Sequence, residues 1–335
     1  MPRTCALSSE PSLLSVEPTY LKIDVAAPGA ITTPAHTLYD IVRKLPEGSQ
    51  VELEYRGGEQ RLTLSAGRSR FVLACLPRED FPVMAEDALP HRFNLPVGDL
   101  KKLIDKTRFA ISTEETRFYL NGIYLHVADG KEPMLVGVAT DGHRLARVRL
   151  PMPMGAAGMP GVIVPRKTVQ EVRKLLDEAE GTVQVSLSDS KIRFDFADAV
   201  LTSKLIDGTF PDYERVIPSG NDKILEVPCK AFASAVDRVS TISTEKSRAV
   251  KVVLAKGKAV LSASSAENAS ATEELAVGYE SSDLEIGFNA RYLIEILGEI
   301  DGESAEFVFA DAVSPTIVRD ATDPGALYVL MPMRV

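Results

Sequence analysis

The sequence predicts an α+β protein built from duplicated half-modules, each one amphipathic helix with several antiparallel strands. Three observations carry that prediction. A unit running Gly29–Pro34 into Leu38–Leu45 returns as Gly161–Pro165 into Val169–Leu176, and again as Leu284–Phe288 into Tyr292–Leu297. A second unit, Arg92–Pro96 with the apolar stretch after it, returns at Ile224–Pro228. Both repeats are offset by 132 residues, Gly29 to Gly161 and Phe93 to Leu225, so the repeat is domain-sized and holds two half-modules. Three domains follow, at 1–90, 91–221 and 222–335.

Each unit opens with a short strand. Pro34, Pro96, Pro165 and Pro228 end four of them, because proline cannot donate to a ladder but is tolerated where a helix begins. Helices are predicted at 36–45, 98–109, 167–178, 229–242 and 289–299. In the second, Leu100, Leu103, Ile104 and Phe109 share a stripe; in the third, Val169, Val172, Leu175 and Leu176 do. The period then changes to two, as in Val51–Tyr55, Arg61–Ser65, Val183–Leu187, Lys191–Phe196, Lys251–Leu254 and Ala305–Phe309. Gly57-Gly58, Asp129-Gly130, Ser188–Ser190 and Lys256–Lys258 supply hairpin turns. Before Gly29 the pattern offers only one strand, at 20–25. By internal symmetry domain one therefore lacks a helix and part of a sheet.

At 335 residues, 45% hydrophobic and 25% charged, the composition is that of a globular protein. No apolar run is long enough to span a bilayer, so no membrane partner is expected. Cys5, Cys75 and Cys229 are odd in number and scattered, which suits a reduced, cytoplasmic protein. The net charge of -9 argues weakly against nucleic acid, yet the predicted helices are net positive inside this acidic chain. Their cations include Arg43, Lys44, Lys101, Lys102, Lys106, Arg108, Lys167, Arg173, Lys174, Lys230 and Arg238. They read either as ordinary solvated faces or, if all helices line one cavity, as a weakly positive wall that attracts phosphates without reading bases.

Catalysis finds little support. There is no phosphate loop and no dinucleotide fingerprint. His36, His91, His126 and His143 stand without metal-site spacing, so neither metal nor cofactor is expected. Asp141 and His143 lack a nucleophile context. Three stretches stand out instead. Thr140–Leu145 reads as a plain hairpin turn or as a groove wall. Gly208–Ile217 is an aromatic, Pro-bounded linker. Leu327–Val335 stays apolar almost to its last residue, with Met331 and Met333 flanking a proline, which suits an adaptable peptide-binding surface.

Phe118–Gly122, Ala139–Ala146, Val164–Lys167, Ser203–Tyr213 and Tyr328–Arg334 together resemble the bacterial sliding clamp, the beta subunit of DNA polymerase III, over about residues 29–335. The resemblance implies three copies of the DNA-clamp fold per protomer and a head-to-tail homodimeric ring around double-stranded DNA. It implies no catalytic residue, and a clamp loader that opens the ring. Partners, namely the replicative polymerase, the clamp loader and repair polymerase or mismatch-repair proteins, would bind as linear peptides between domains two and three. The matching groove positions are Leu120, Thr140, Gly142, His143, Arg144, Leu145, Pro211, Arg215, Val216, Val329, Met331, Pro332, Met333 and Arg334. Tyr119, with Glu114 and Phe118, would join the helix cations on the DNA side; Glu114 and Phe118 stand where a Gln and a Tyr are expected. The ring contact would set Arg70–Leu73, with Phe71 and Leu73, against Thr241 and Ile242. Residues 1–20 do not resemble the family start. The alternative reading is a truncated or diverged paralogue, a peptide-binding adaptor that does not encircle DNA. The expected location is cytoplasmic and nucleoid-associated.

Overall fold

The computed structural model describes residues 14–17, 24–27, 29–56, 60–77, 79, 88–197, 199–243, 249–265 and 269–334. Domain one contributes β1 (Leu14–Glu17), α1 (Ala35–Val42), β2 (Val51–Arg56), β3 (Arg61–Ala66) and β4 (Ser69–Ala74). β2, β3 and β4 form one antiparallel sheet. Its core is small: Leu62, Leu73 and Cys75, with Ile31, Leu38 and Ile41 against them. No residue of α1 is buried, and β2 is exposed along its whole length. Pro34 precedes α1 as expected, but residues 29–34 form no strand. The strand expected at 20–25 falls largely outside the described residues, as does the Gly57-Gly58 turn.

Domain two runs β5 (His91–Pro96), α2 (Val97–Arg108), β6 (Gly122–Ala128), β7 (Met134–Thr140), β8 (Arg144–Pro151), β9 (Val162–Pro165), α3 (Arg166–Glu178), β10 (Thr182–Leu187), β11 (Lys191–Asp195) and β12 (Val200–Lys204). Pro96 and Pro165 are the last residues of their strands and sit extended immediately before α2 and α3. The leading strand of each half crosses into the sheet of the other: β5 pairs with β10, and β9 pairs with β6. The halves therefore share one core, in which Leu100, Leu103 and Ile104 of α2 and Val169, Val172 and Leu176 of α3 pack with Ile123, Leu125 and Phe194. Gly137 marks how closely α2 lies on β7, since a Cβ there would meet Leu103 at 2.8 Å.

Domain three repeats the plan with β13 (Lys223–Pro228), α4 (Cys229–Ser240), β14 (Ala249–Ala255), β15 (Lys258–Ser264), β16 (Ser270–Ala276), β17 (Gly278–Tyr279), β18 (Leu284–Asn289), α5 (Ala290–Gly298), β19 (Ser304–Phe309), β20 (Thr316–Asp320) and β21 (Asp323–Leu330). β13 crosses to β19 and β18 to β14. Asn289 replaces the proline seen before α2, α3 and α4, and its side chain accepts from the backbone N–H of Arg291 and Tyr292.

The domains join by strand addition in one repeated pattern. β8, the outer strand of the first half of domain two, pairs with β21, the outer strand of the second half of domain three. A nine-stranded sheet results. In the same sense β1 of domain one pairs with β12, the outer strand of the second half of domain two. Among the described residues the remaining outer strands, β16 of domain three and β4 of domain one, end their sheets, as do β1, β2, β5, β9, β17 and β18.

Candidate peptide groove and DNA-facing helices

The nine-stranded sheet has two faces. The inner face packs on the helices. The outer one carries a second apolar cluster, in which Leu120, Val136, Val138, Leu145, Ile163 and Val329 are covered by Phe210 and Tyr213 of the linker between domains two and three. Leu145 and Val329 are directly opposed across the domain junction. The linker is fixed by aromatics: Phe210 stacks on Tyr124 at 4.8 Å, Tyr124 on His126 at 4.8 Å, and the Tyr213 hydroxyl lies 3.0 Å from His126 Nε2. Burial holds His126 below the ordinary histidine range and pushes the Tyr213 phenol up to about 12. Sequence reasoning named the linker but missed Tyr124 and His126; their alternate positions on β6 are the signal that could have found them.

The β7–β8 turn forms one wall. The Thr140 hydroxyl donates to the Arg144 carbonyl at 2.6 Å and accepts from the Gly142 N–H. Asp141 Oδ1 accepts from the N–H groups of His143 and Arg144. Gly142 has φ +88°, and a Cβ there would strike the Arg117 guanidinium. The chain end returns to this turn: the Met331 N–H donates to the His143 carbonyl at 2.9 Å, and the Met333 N–H to the Gly287 carbonyl at 2.8 Å. Met331, Pro332 and Met333 are half-buried and Arg334 is exposed; Thr140 is half-buried, and Gly142, His143, Pro211, Arg215 and Val216 are exposed. Leu120, Leu145 and Val329 are buried and make the floor.

Arg144 departs from the expectation of a side chain offered to a ligand. It is 6% exposed. Its Nε donates to Asp141 at 3.2 Å, Nη2 to the Phe109 carbonyl at 2.6 Å, and Nη1 to Glu295 of domain three. Its guanidinium also stacks 4.3 Å from the Tyr292 ring centroid. Arg144 braces the wall against domain three instead of lining it.

The helix cations also divide. Lys106 is corrected from a DNA-facing residue to a buried tether: it is 4% exposed, its Nζ donating to the Glu299 carbonyl at 2.6 Å and pairing with Asp301 at 2.9 Å. Lys102 reaches Asp323 at 2.7 Å, also across the junction. Between α2 and α3 runs a charge ladder, Lys101–Asp177 at 3.1 Å, Arg173–Asp177 at 2.7 Å, Arg173–Asp105 at 2.6 Å and Arg108–Asp105 at 3.1 Å. Hydrogen bonds from Arg173 and then Lys101 hold the Asp177 carboxyl below its usual range. Arg43, Lys174 and Arg238 pair with Asp40, Glu171 and Glu273. Lys167 is half-buried. Lys44 and Lys230 are exposed and have no ion pair among the described residues. Glu114 is held by Arg117 at 2.6 Å and 2.8 Å, while Tyr119 meets the exposed Phe118 edge-on.

At the expected ring contact, Leu73 is corrected: it points into the core of domain one, and its neighbour Val72 is the exposed one. Phe71 and Ile242 are half-buried and Thr241 is exposed.

Duplicated halves with exchanged strands, domains chained edge to edge and an apolar groove at one junction define a multidomain clamp subunit. The comparisons give its family. The DNA polymerase III beta subunit descriptions match across the chain, the N-terminal domain at 5–85, the central domain at 94–212 and the C-terminal domain at 214–334. The chain is 56% identical over 317 residues to the Beta sliding clamp of Caulobacter vibrioides, covering 94% of this chain and 85% of that one. It is 39% identical over 308 residues to that of Escherichia coli K12, covering 92% and 82%. A C. crescentus beta sliding clamp structure with polyethylene glycol bound superposes with TM-score 0.93 at 54% identity, covering 96% and 86% of the two chains. A Bartonella birtlesii clamp bound to griselimycin gives 0.93 at 49%, with the same coverage. The chain belongs to the DNA polymerase III beta subunit family, the sliding clamps, and its function is that of a non-catalytic DNA sliding clamp in replication. These relationships do not favour the adaptor alternative. The N-terminal match from residue 5 corrects the view that residues 1–20 are unlike the family; the domain is present, slightly short.

Proposed function

We propose that two copies of this chain close head to tail into a ring around duplex DNA, with domain limits at 1–90, 91–221 and 222–335. The observation that carries the proposal is the edge pattern. Each junction within the chain joins an outer strand of one domain's first half to an outer strand of the next domain's second half. Continued once more, that pattern pairs β16 with β4 of a second copy, and Phe71, Thr241 and Ile242 lie beside this contact. Edge strands seek partners, and backbone pairing supplies the affinity.

In such a ring the helices face the DNA. Arg43, Lys44, Lys101, Lys102, Lys167, Arg173, Lys174, Lys230, Arg238 and Tyr119 would form the lining. Most of these cations already share carboxylates, which keeps their hold on phosphate loose. Exposed ion pairs contribute only about 0–1 kcal/mol, so they yield readily to a passing phosphate. Retention then comes from topology, with no sequence preference. The groove of Leu120, Leu145 and Val329, with Pro211, Arg215, Val216 and the Met331–Arg334 tail, takes linear peptides of the replicative polymerase, clamp loader, and repair polymerase or mismatch-repair proteins. The expected location is the cytoplasm, at the nucleoid; among the described residues no helix is long and apolar enough to cross a membrane.

Sedimentation equilibrium at micromolar concentration tests the ring: a mass twice the 36.3 kDa chain supports it, and a monomer at all concentrations refutes it. Deleting 331–335 should abolish peptide binding; unchanged affinity would put the groove elsewhere.

A further inference from the structure

Along β8, alternate residues share the outer face: Leu145, then Arg147, then Arg149. Leu145 belongs to the groove floor. Arg147 lies opposite Leu327 on one side and Val138 on the other, and Arg149 lies opposite Val136. Two guanidinium groups therefore stand among apolar neighbours, beneath the Tyr213–Val216 turn of the linker.

Their polar atoms are poorly answered. The Nε atoms of Arg147 and Arg149 are both buried and have no hydrogen-bond partner among the described residues. By contrast, the buried cations Lys106 and Arg144 are each met by carboxylates. The charged and titratable groups that face the pair are His126, Tyr213 and Glu214. The Tyr213 hydroxyl is engaged with His126. Glu214, largely exposed, comes only to 3.7 Å from Arg149, beyond hydrogen-bond range. Burial first, and then the Arg149 charge, hold Arg147 below the ordinary arginine range. The Arg149 side chain is still 38% exposed, whereas burial weighs on Arg147; a desolvated guanidinium with no close counter-ion is costly, and its planar fork matches a carboxylate in particular.

We propose that Arg147 and Arg149 form a carboxylate-binding subsite at the end of the groove, selecting linear peptides that carry a carboxylate directly after their apolar anchors. The inference rests on the peptide-groove reading and adds a specificity to it. Spacing supports the peptide over a free anion. Leu145 and Arg147 are two residues apart on one strand face, roughly 6.6 Å, the pitch at which an extended chain presents alternate side chains. An extended peptide that fills the floor at Leu145 therefore brings its next same-side group to Arg147. Among the described residues, Glu214 is the carboxylate whose charge acts on Arg147 and that lies beside Arg149, and a peptide carboxylate would displace its loose contact.

The test uses the full-length protein and fluorescent synthetic peptides with Leu and Phe anchors. One ends in Asp with an amidated terminus, one in Asn with an amidated terminus, and one in Asn with a free terminus. The wild type should bind the Asp-amide or the free-acid peptide about tenfold tighter than the Asn-amide, the size expected of a charge-assisted pair. Whichever is preferred identifies the carboxylate as side-chain or terminal. Arg147→Met, which keeps the apolar stem, should erase the preference while leaving the Asn-amide affinity within about twofold and the thermal midpoint no lower. Glu214→Gln should enlarge it. If all peptides bind the wild type equally, or the preference survives in Arg147→Met, the subsite is overturned and the groove stands. If none binds, the groove reading itself fails.

Discussion

Domain one and domain two contain the same half-module, and only domain two buries it. Helix α3 sinks Val169, Val172 and Leu176 against α2. Its counterpart α1 has no fully buried residue: Leu38 and Ile41 only half-bury themselves against Leu62, Leu73 and Cys75, and Tyr39 is 63% exposed. Strand β10 is flanked by β5 and β11, whereas among the described residues its counterpart β2 has β3 alone and leaves Leu53 55% exposed. The difference teaches what a half-module is. Its apolar helix stripe fits the other half of its own domain, and strand exchange makes the two halves one folding unit. Among the described residues of domain one, the sheet of β2, β3 and β4 with α1 leaves much of that stripe and the edge of β2 uncovered.

The comparison can be broken most directly by truncating matched leucines. Leu103→Ala in α2, at a site 3% exposed, should cost about 2–5 kcal/mol in denaturant unfolding, while Leu38→Ala in α1 should cost under about 1 kcal/mol. Equal losses would erase the distinction. Native-state hydrogen exchange sharpens it: amides of α1 and β2 should exchange at lower opening free energy than those of α2 and α3.

Smaller effects separate the tether from the lining. Lys106→Ala should lower stability by about 1–3 kcal/mol, because Asp323 stays mostly buried at the junction while Asp301 is largely in water. Lys44→Ala should leave stability unchanged and reduce the salt dependence of DNA binding by about one counter-ion per chain. If the two variants behaved alike, the division of the cations would be wrong.

The smallest expected effect is a pH response at the linker. Burial keeps His126 neutral in the folded protein, with its pKa below the ordinary value. The unfolded chain therefore binds more protons as pH falls through the ordinary histidine range, about 6.5, and stability declines there. His126→Gln, neutral throughout, should flatten the profile of unfolding midpoint between about pH 8 and pH 5.5. An identical slope in both proteins would exclude His126 as the source.

Much of this was legible in the sequence. The helix expected at 98–109 is Val97–Arg108, and the one at 167–178 is Arg166–Glu178. Local stripes and prolines specify such elements. Strand exchange was not legible, because pairing β5 with β10 joins residues some ninety apart and leaves no local mark. Lys106 reads as exposed because its residue type usually is, and resemblance alone makes Arg144 a groove residue. Their burial depends on Glu299, Asp301 and Glu295, which a different domain supplies. Resemblance places Leu73 at the ring contact but does not say how far each residue of β4 sinks into the core of its own domain. The groove positions came from motif resemblance; the Phe210–Tyr124–His126 stack needs the linker to fold back over the sheet, which no short motif announces.

The central claim is that the ring holds DNA by enclosing it. Load the protein onto nicked circular DNA with a clamp loader and ATP, then cut the circle once with a restriction enzyme and follow the bound fraction by gel filtration. The account predicts stable retention on the intact circle and loss after the cut as the protein slides off the ends. Equal retention on the linear product would contradict it.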